Sequence, residues 1–242
     1  MGTGASGLLL SVAASLAVVH TAIGVDHAVP FVVLSRVQGW TLKRTLVVTA
    51  LCGVGHVLSA VVLGLGAVAL GIAVEHLAPF DSMRGNVALM LLVAFGLGYA
   101  VLGAVHWVRG RPHRHFHEHD DGTSHEHDHG HADEHVHLHE QKKKVITAWT
   151  LFVVLVFGPC EALVPLLLAP GVMQDYSLLA AVILVFGGLT VATMLVLVTL
   201  GTLGARLVDL EKFFGKRAAA MSEVLAGLTI AATGAAVKVF GL

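Results

Sequence analysis

Residues 45–74 read TLVVTALCGVGHVLSAVVLGLGAVALGIAV, thirty positions without a single Asp, Glu, Lys or Arg. A helix rises about 1.5 Å per residue, so roughly 20 residues cross the ~30 Å hydrocarbon core of a bilayer. This stretch does so with margin. Two further uncharged runs, Met1–Val25 and Ser177–Ala205, extend the pattern. The first lacks a positively charged n-region and therefore reads as a span rather than a signal peptide. Over all 242 residues, 56% are hydrophobic and 13% charged, about half the charged fraction of a soluble domain. These features exclude a soluble globular protein and predict an all-α integral membrane protein.

Six transmembrane helices are expected, at 6–25, 45–74, 86–107, 145–168, 177–204 and 218–240. They divide the chain into a first three-helix unit (1–108), a polar loop (109–144) and a second three-helix unit (145–242). Lys and Arg set the orientation. Thirteen of the fifteen fall after span one, between spans three and four, or between five and six; only Arg84 and Lys238 fall on the other side. A multi-pass protein of the plasma membrane is expected, with both termini outside and the long loop cytoplasmic. A net charge of −1 gives no basis for nucleic-acid binding.

The segment Gly24-Val25-Asp26-His27-Ala28-Val29-Pro30 has a counterpart 134 residues later, Gly158-Pro159-Cys160-Glu161-Ala162-Leu163-Val164-Pro165. Both place a polar pair between Gly and Pro, on spans one and four, which enter the membrane from opposite sides. The two units then read as inverted repeats. Gly weakens a helical turn and Pro removes a backbone donor, so both motifs predict interrupted helices. Paired interruptions of this kind mark substrate sites near the membrane midplane.

Ionisable groups inside spans are functional candidates. Here they are His20, Asp26, His27, His56 and Glu161, with Cys160 beside the last. Imidazole, carboxylate and thiolate together suit nickel, cobalt or zinc. These six are the candidate metal ligands. His76 and His106 read as interfacial, and Cys52 as a buried apolar residue. No catalytic constellation is apparent, so the chain is not expected to be an enzyme.

The loop carries His113, His115, His117, His119, His125, His127, His129, His131, His135, His137 and His139, interspersed with Asp and Glu. With almost nothing apolar to bury, it is expected to be disordered without metal and to collect ions.

With His20, Asp26 and His27, then Gly55, His56 and Ser59, the chain resembles the nickel/cobalt transporter group of the lysine-exporter superfamily. Its closest likeness is to the branch of small membrane proteins found near urease genes. That group carries a His…Asp-His signature in an early helix and a Gly-His motif followed by a hydroxyl residue in the next. The resemblance implies membrane transport of Ni2+ or Co2+, with no permanently bound cofactor. The His-to-Asp spacing is one residue longer than in the uptake permeases, the spans are fewer, and Pro159-Cys160-Glu161 is not their acidic motif. Nickel, cobalt and zinc, and both directions, stay open. The cytoplasmic loop favours efflux, because it gathers ions on the side they leave from. No Gly-x-x-x-x-Gly-Lys-Ser/Thr loop is present, so transport would be secondary. Two alternatives are a membrane thiol–disulfide carrier using Cys160, and an assembly factor for a nickel enzyme. The sequence does not specify an oligomeric state.

The loop reading makes a measurable prediction. Purified protein should bind several equivalents of Ni2+ at pH 7.5 and lose most of them when 113–139 is deleted. The loss should be mimicked by lowering the pH below about 6, where exposed imidazole is protonated. An unchanged stoichiometry after the deletion would remove the loop from metal handling.

Overall fold

The computed structural model describes residues 3–71, 74–109, 117–118, 124–125, 148–158, 162–172, 174–208, 215 and 218–240. Its helices are α1 Thr3–Ile23, α2 Val29–Val37, α3 Leu42–Leu70, α4 Val74–Arg109, α5 Ala148–Phe157, α6 Leu163–Val172, α7 Tyr176–Arg206 and α8 Ala218–Phe240. A 3-10 turn, Val25–His27, separates α1 from α2. The described parts of the loop are a two-residue antiparallel pairing, β1 His117–Glu118 with β2 Ser124–His125. The expectation of loop disorder falls outside the described residues.

Among the described residues, five helices, where six were expected, are long and apolar enough to cross a membrane: α1, α3, α4, α7 and α8. The chain is thus all-helical and multi-pass in character. The segment expected as the fourth span is split instead into α5 and α6, ten residues each. Helix α5 ends at Phe157, just before the Gly158-Pro159 pair that was expected to interrupt it. The third span also differs. It begins twelve residues earlier than expected, at Val74, and runs through Pro79. Asp81 and Arg84, three apart, pair across one turn, so these charges lie within the helix although the third span was expected to begin after them.

On α3 small and polar side chains face inward and large apolar ones outward, whereas Phe31, Leu34, Phe186, Met194 and Ile230 fill the core elsewhere. On α3 the buried face includes Thr45, Thr49, Cys52, Gly53, His56, Ala60, Gly64 and Ala67. The opposite face exposes Val47, Leu51, Val54, Leu58, Val62 and Leu65. Water would penalise such a surface, whereas lipid does not, and small inward residues let helices approach closely. The buried threonines return their hydroxyls to the preceding turn, as Thr49 does to the Thr45 carbonyl at 2.9 Å.

Helices α3 and α7 cross antiparallel. A Cβ on Gly53 would stand 3.3 Å from Val191, and one on Gly187 would stand 2.9 Å from Val57. The α4–α8 pair makes the most extensive contact in the bundle and is also antiparallel. Gly96 lies against Gly227 and Ala231, while Gly103 lies against Val224. Arg36, in the last turn of α2, donates to the Val208 carbonyl just past α7 and ties those two ends together. At the other end of α7, Asp175 caps the helix, accepting from the Leu178 N–H at 3.1 Å and the Ser177 hydroxyl at 2.8 Å. Both bonds hold its carboxyl below the usual carboxylate range.

At the α4–α8 crossing a Cβ on Gly227 would collide with the Ala100 backbone, whereas one on Gly98 meets nothing within 4 Å. Gly227→Val should therefore destabilise the protein by roughly 2–4 kcal/mol, and Gly98→Ala should stay within about 0.5 kcal/mol of wild type. Thermal unfolding in detergent measures both, and equal effects would refute the close crossing.

Candidate metal centre

Helix α1 ends because Gly24 leaves helical geometry, with ψ 93°. Its N–H still closes the last turn on the His20 carbonyl at 2.9 Å. Pro30 then starts α2 at a position where a missing N–H is tolerated. Between them the 3-10 turn places Asp26 and His27 side by side. His20, one turn before the break, is brought against His27 with ring centroids 5.0 Å apart and planes at 75°. His56, the middle residue of α3, meets the other side of His27 at 5.2 Å and 84°.

The three imidazoles each present one ligand atom, and these atoms all lie within 4.8 Å of one another. His27 and His56 are almost wholly buried. The Nε2 atoms of His20, His27 and His56 are buried without a hydrogen-bond partner. Buried polar atoms are rarely left so. A metal ion bound among them would account for all three at once.

The other nitrogens explain why. His27 Nδ1 lies 3.2 Å from the Gly24 carbonyl, and His56 Nδ1 lies 2.9 Å from the Leu155 carbonyl. A carbonyl only accepts, so each Nδ1 carries a proton, and in the neutral imidazole each Nε2 keeps its lone pair. Both carbonyls stand at helix interruptions: Gly24 at the end of α1, Leu155 in the last turn of α5. The imidazoles help satisfy the acceptors that broken helices leave open. Orienting a metal-binding histidine through its second nitrogen is the usual arrangement at such centres. Metal–nitrogen bonds of about 2.1 Å put tetrahedral ligands roughly 3.4 Å apart, so the set must close by roughly an ångström at its widest. Among the described residues the set supplies three nitrogens, and a tetrahedral ion takes a fourth ligand.

Of the six predicted ligands, His20, His27 and His56 are brought together. Asp26 is not one of that set of three. Its Oδ1 lies 3.1 Å from His27 Nδ1 and is itself buried without a hydrogen-bond partner among the described residues. It also borders a cavity of about 20 Å³, with room for roughly one water, alongside Leu155, Gly158 and Ala88. Cys160 and Glu161 lie outside the described residues, as do the side chains of the loop histidines. Gly158, two residues before Cys160, does reach this centre, since a Cβ there would stand 3.6 Å from His56 Nδ1. Cys52 is buried among Phe31, Leu155 and Met194, as its apolar reading expected. His106 is paired with Glu223 at 2.6 Å, and His76 is exposed.

Sequence reasoning missed Arg84, taken only as a marker of orientation. Its Nη1 contacts the Ser59 hydroxyl at 3.3 Å, and that hydroxyl donates to the His56 carbonyl at 2.7 Å. The signal available was a pair of opposite charges three residues apart beside a long apolar run.

Comparison with protein-family models, with curated proteins and with solved structures gave no match to this chain.

A Cβ at position 24 would overlap the His27 ring, standing 2.8 Å from its Cε1 and closer still to Nδ1. Gly24→Ala, which removes no ligand, should therefore weaken divalent-metal binding by about tenfold or more. Isothermal titration of the loop-deleted protein measures this without the loop's own sites. Wild-type affinity in Gly24→Ala would show that the turn does not position His27 for metal.

Proposed function

We propose that this protein is a secondary transporter for a divalent transition-metal ion, with His20, His27 and His56 as its binding site. The observation that carries this reading is the convergence of three partnerless imidazole nitrogens at a helix break, deep among membrane-spanning helices. A resident structural zinc would be expected to have a closed ligand set. Three nitrogens among the described residues, lying beside a small cavity, suit an ion that arrives and leaves. The resemblance to nickel/cobalt transporters favours Ni2+ or Co2+ as the cargo.

The reading includes an inverted-repeat architecture with six crossings. Gly53 and Val57 sit 134 residues before Gly187 and Val191, the same offset as Gly24 to Gly158. Gly53 packs on Val191 and Gly187 on Val57, the reciprocal contact expected of two halves related by a two-fold axis. Gly96, Ala100 and Gly103 on α4 match Gly227, Ala231 and Gly234 on α8 at an offset of 131, with Gly96 against Ala231 and Gly227 against Ala100. The antiparallel course of these helix pairs supports it. If α7 runs back toward the face where α4 ends, the segment 110–175 must cross between them, with α5 and α6 as its two halves. Both termini then share one face and the histidine loop takes the other, which the Lys/Arg distribution makes cytoplasmic.

Entry of a divalent cation down an inside-negative potential gains roughly 4.6 kcal/mol per 100 mV. Uptake would need no coupling. Export needs a second gradient, and imidazoles that exchange metal for protons supply a route to it. The loop favours efflux.

The test is flux of Ni2+, Co2+ and Zn2+ into and out of proteoliposomes. Wild type should transport at least one ion, and His27→Ala should reduce that flux about tenfold or more. Absence of flux from correctly inserted protein, with and without a pH gradient, would sink the transporter reading and favour the thiol carrier or the assembly factor.

A further inference from the structure

Outside the histidine set, Arg84 and Asp81 form an ion pair inside a spanning helix, with both side chains about nine-tenths buried. Arg84 donates from Nη2 to Asp81 Oδ1 at 2.7 Å and from Nη1 to the Ser59 hydroxyl at 3.3 Å. Its Nε is buried without a partner. Ser59 in turn donates to the His56 carbonyl at 2.7 Å, so the guanidinium stands one helical turn from a proposed metal ligand. Ala88, one turn further along α4, lines the cavity that Asp26 borders.

Packing alone does not account for this pair. Apolar side chains of similar volume would serve stability as well or better. Nor is Arg84 an interfacial anchor, because it turns inward to Ser59 instead of out to lipid headgroups. Charges kept inside spans face pathways, and here the pair reaches the His56 carbonyl through Ser59, while Ala88, one turn along the same helix, lines the cavity.

We propose that Arg84 and Asp81 form a charge gate beside the histidine site, on the side toward the C-terminal half of α3. Asp81 is a transient docking carboxylate for the divalent cation, and Arg84 occupies it when no cation is present. A dication offers the carboxylate twice the charge that the guanidinium does, so it displaces Arg84 at equal distance. The unpartnered Nε makes that release easier, since fewer bonds hold the guanidinium in place. While displaced, Arg84 repels a second cation and limits passage to one ion at a time. The identity of the passing ion rests on the transport reading; the gate itself does not.

The experiment places a reporter behind the gate. Ala88→Cys is introduced with Cys52→Ala and Cys160→Ser, the protein is reconstituted in liposomes, and a membrane-impermeant thiol reagent is applied from each side. Arg84→Gln should raise the labelling rate at least tenfold from one side only. Arg84→Lys, which keeps the charge, should remain as protected as the protein that retains Arg84 and controls for a loss of folding. Equal labelling with and without Arg84→Gln overturns the gate, as does deprotection by Arg84→Lys as large as that by Arg84→Gln. Ni2+ and Co2+ flux is measured in parallel on the wild-type chain. Protection released by Arg84→Gln without any metal flux supports the gate and removes only its cargo. Metal flux with labelling indifferent to the residue at position 84 removes the gate and leaves transport standing.

Discussion

A chain in hydrocarbon has no water to complete its backbone hydrogen bonds, so an interrupted helix there must find partners for the carbonyls it frees. The centre of this protein is organised by that requirement. Gly24 ends α1, and its carbonyl accepts from the His27 N–H at 3.0 Å and faces His27 Nδ1. Leu155, close to the end of α5, accepts from the Gly158 N–H at 3.0 Å and faces His56 Nδ1. In each case an imidazole helps satisfy the break, and doing so turns Nε2 into the space between the helices. Structural repair and the orientation of the imidazoles are the same contact.

The surrounding bundle holds such a centre with a mixed interior, in which Phe31, Leu34, Phe186 and Met194 are buried alongside glycine, alanine, threonine and histidine. Apolar bulk lies outside on α3, while glycine, alanine, threonine and histidine lie inside. Glycines set the helix separations at the α3–α7 and α4–α8 crossings. Close approach fixes the axes, and fixed axes place His56 against His27. Larger residues at these crossings would widen the bundle and draw the histidine nitrogens apart.

Charges inside the bundle fall into distinct settings. Asp26 is joined to His27 at the break. The Asp81–Arg84 pair lies one turn from His56, through Ser59. His106 and Glu223 pair at the α4–α8 seam, beside Gly103. Along α4, Arg84 and His106 are 22 residues apart, roughly 33 Å of helix, comparable to the hydrocarbon thickness. The same helix therefore carries an ion pair toward each end, and only the Arg84 pair adjoins the histidines.

The sequence by itself determined the membrane character, four of the spans close to their observed limits, and the interruption between Gly24 and Pro30. Uncharged length, Gly and Pro act locally, and local causes are legible in a string of residues. It also supplied the list from which the histidine set was drawn. Only the tertiary structure decided membership. His56 joins His27 across 29 residues of chain and reaches Leu155 across 99, distances that helix packing sets and periodicity does not encode. The same packing turned Arg84 inward to Ser59, from a stretch expected to precede the third span. Whether a polar side chain faces a site, a partner or the membrane surface depends on the rotation and separation of helices, and these are fixed only when the glycine crossings close.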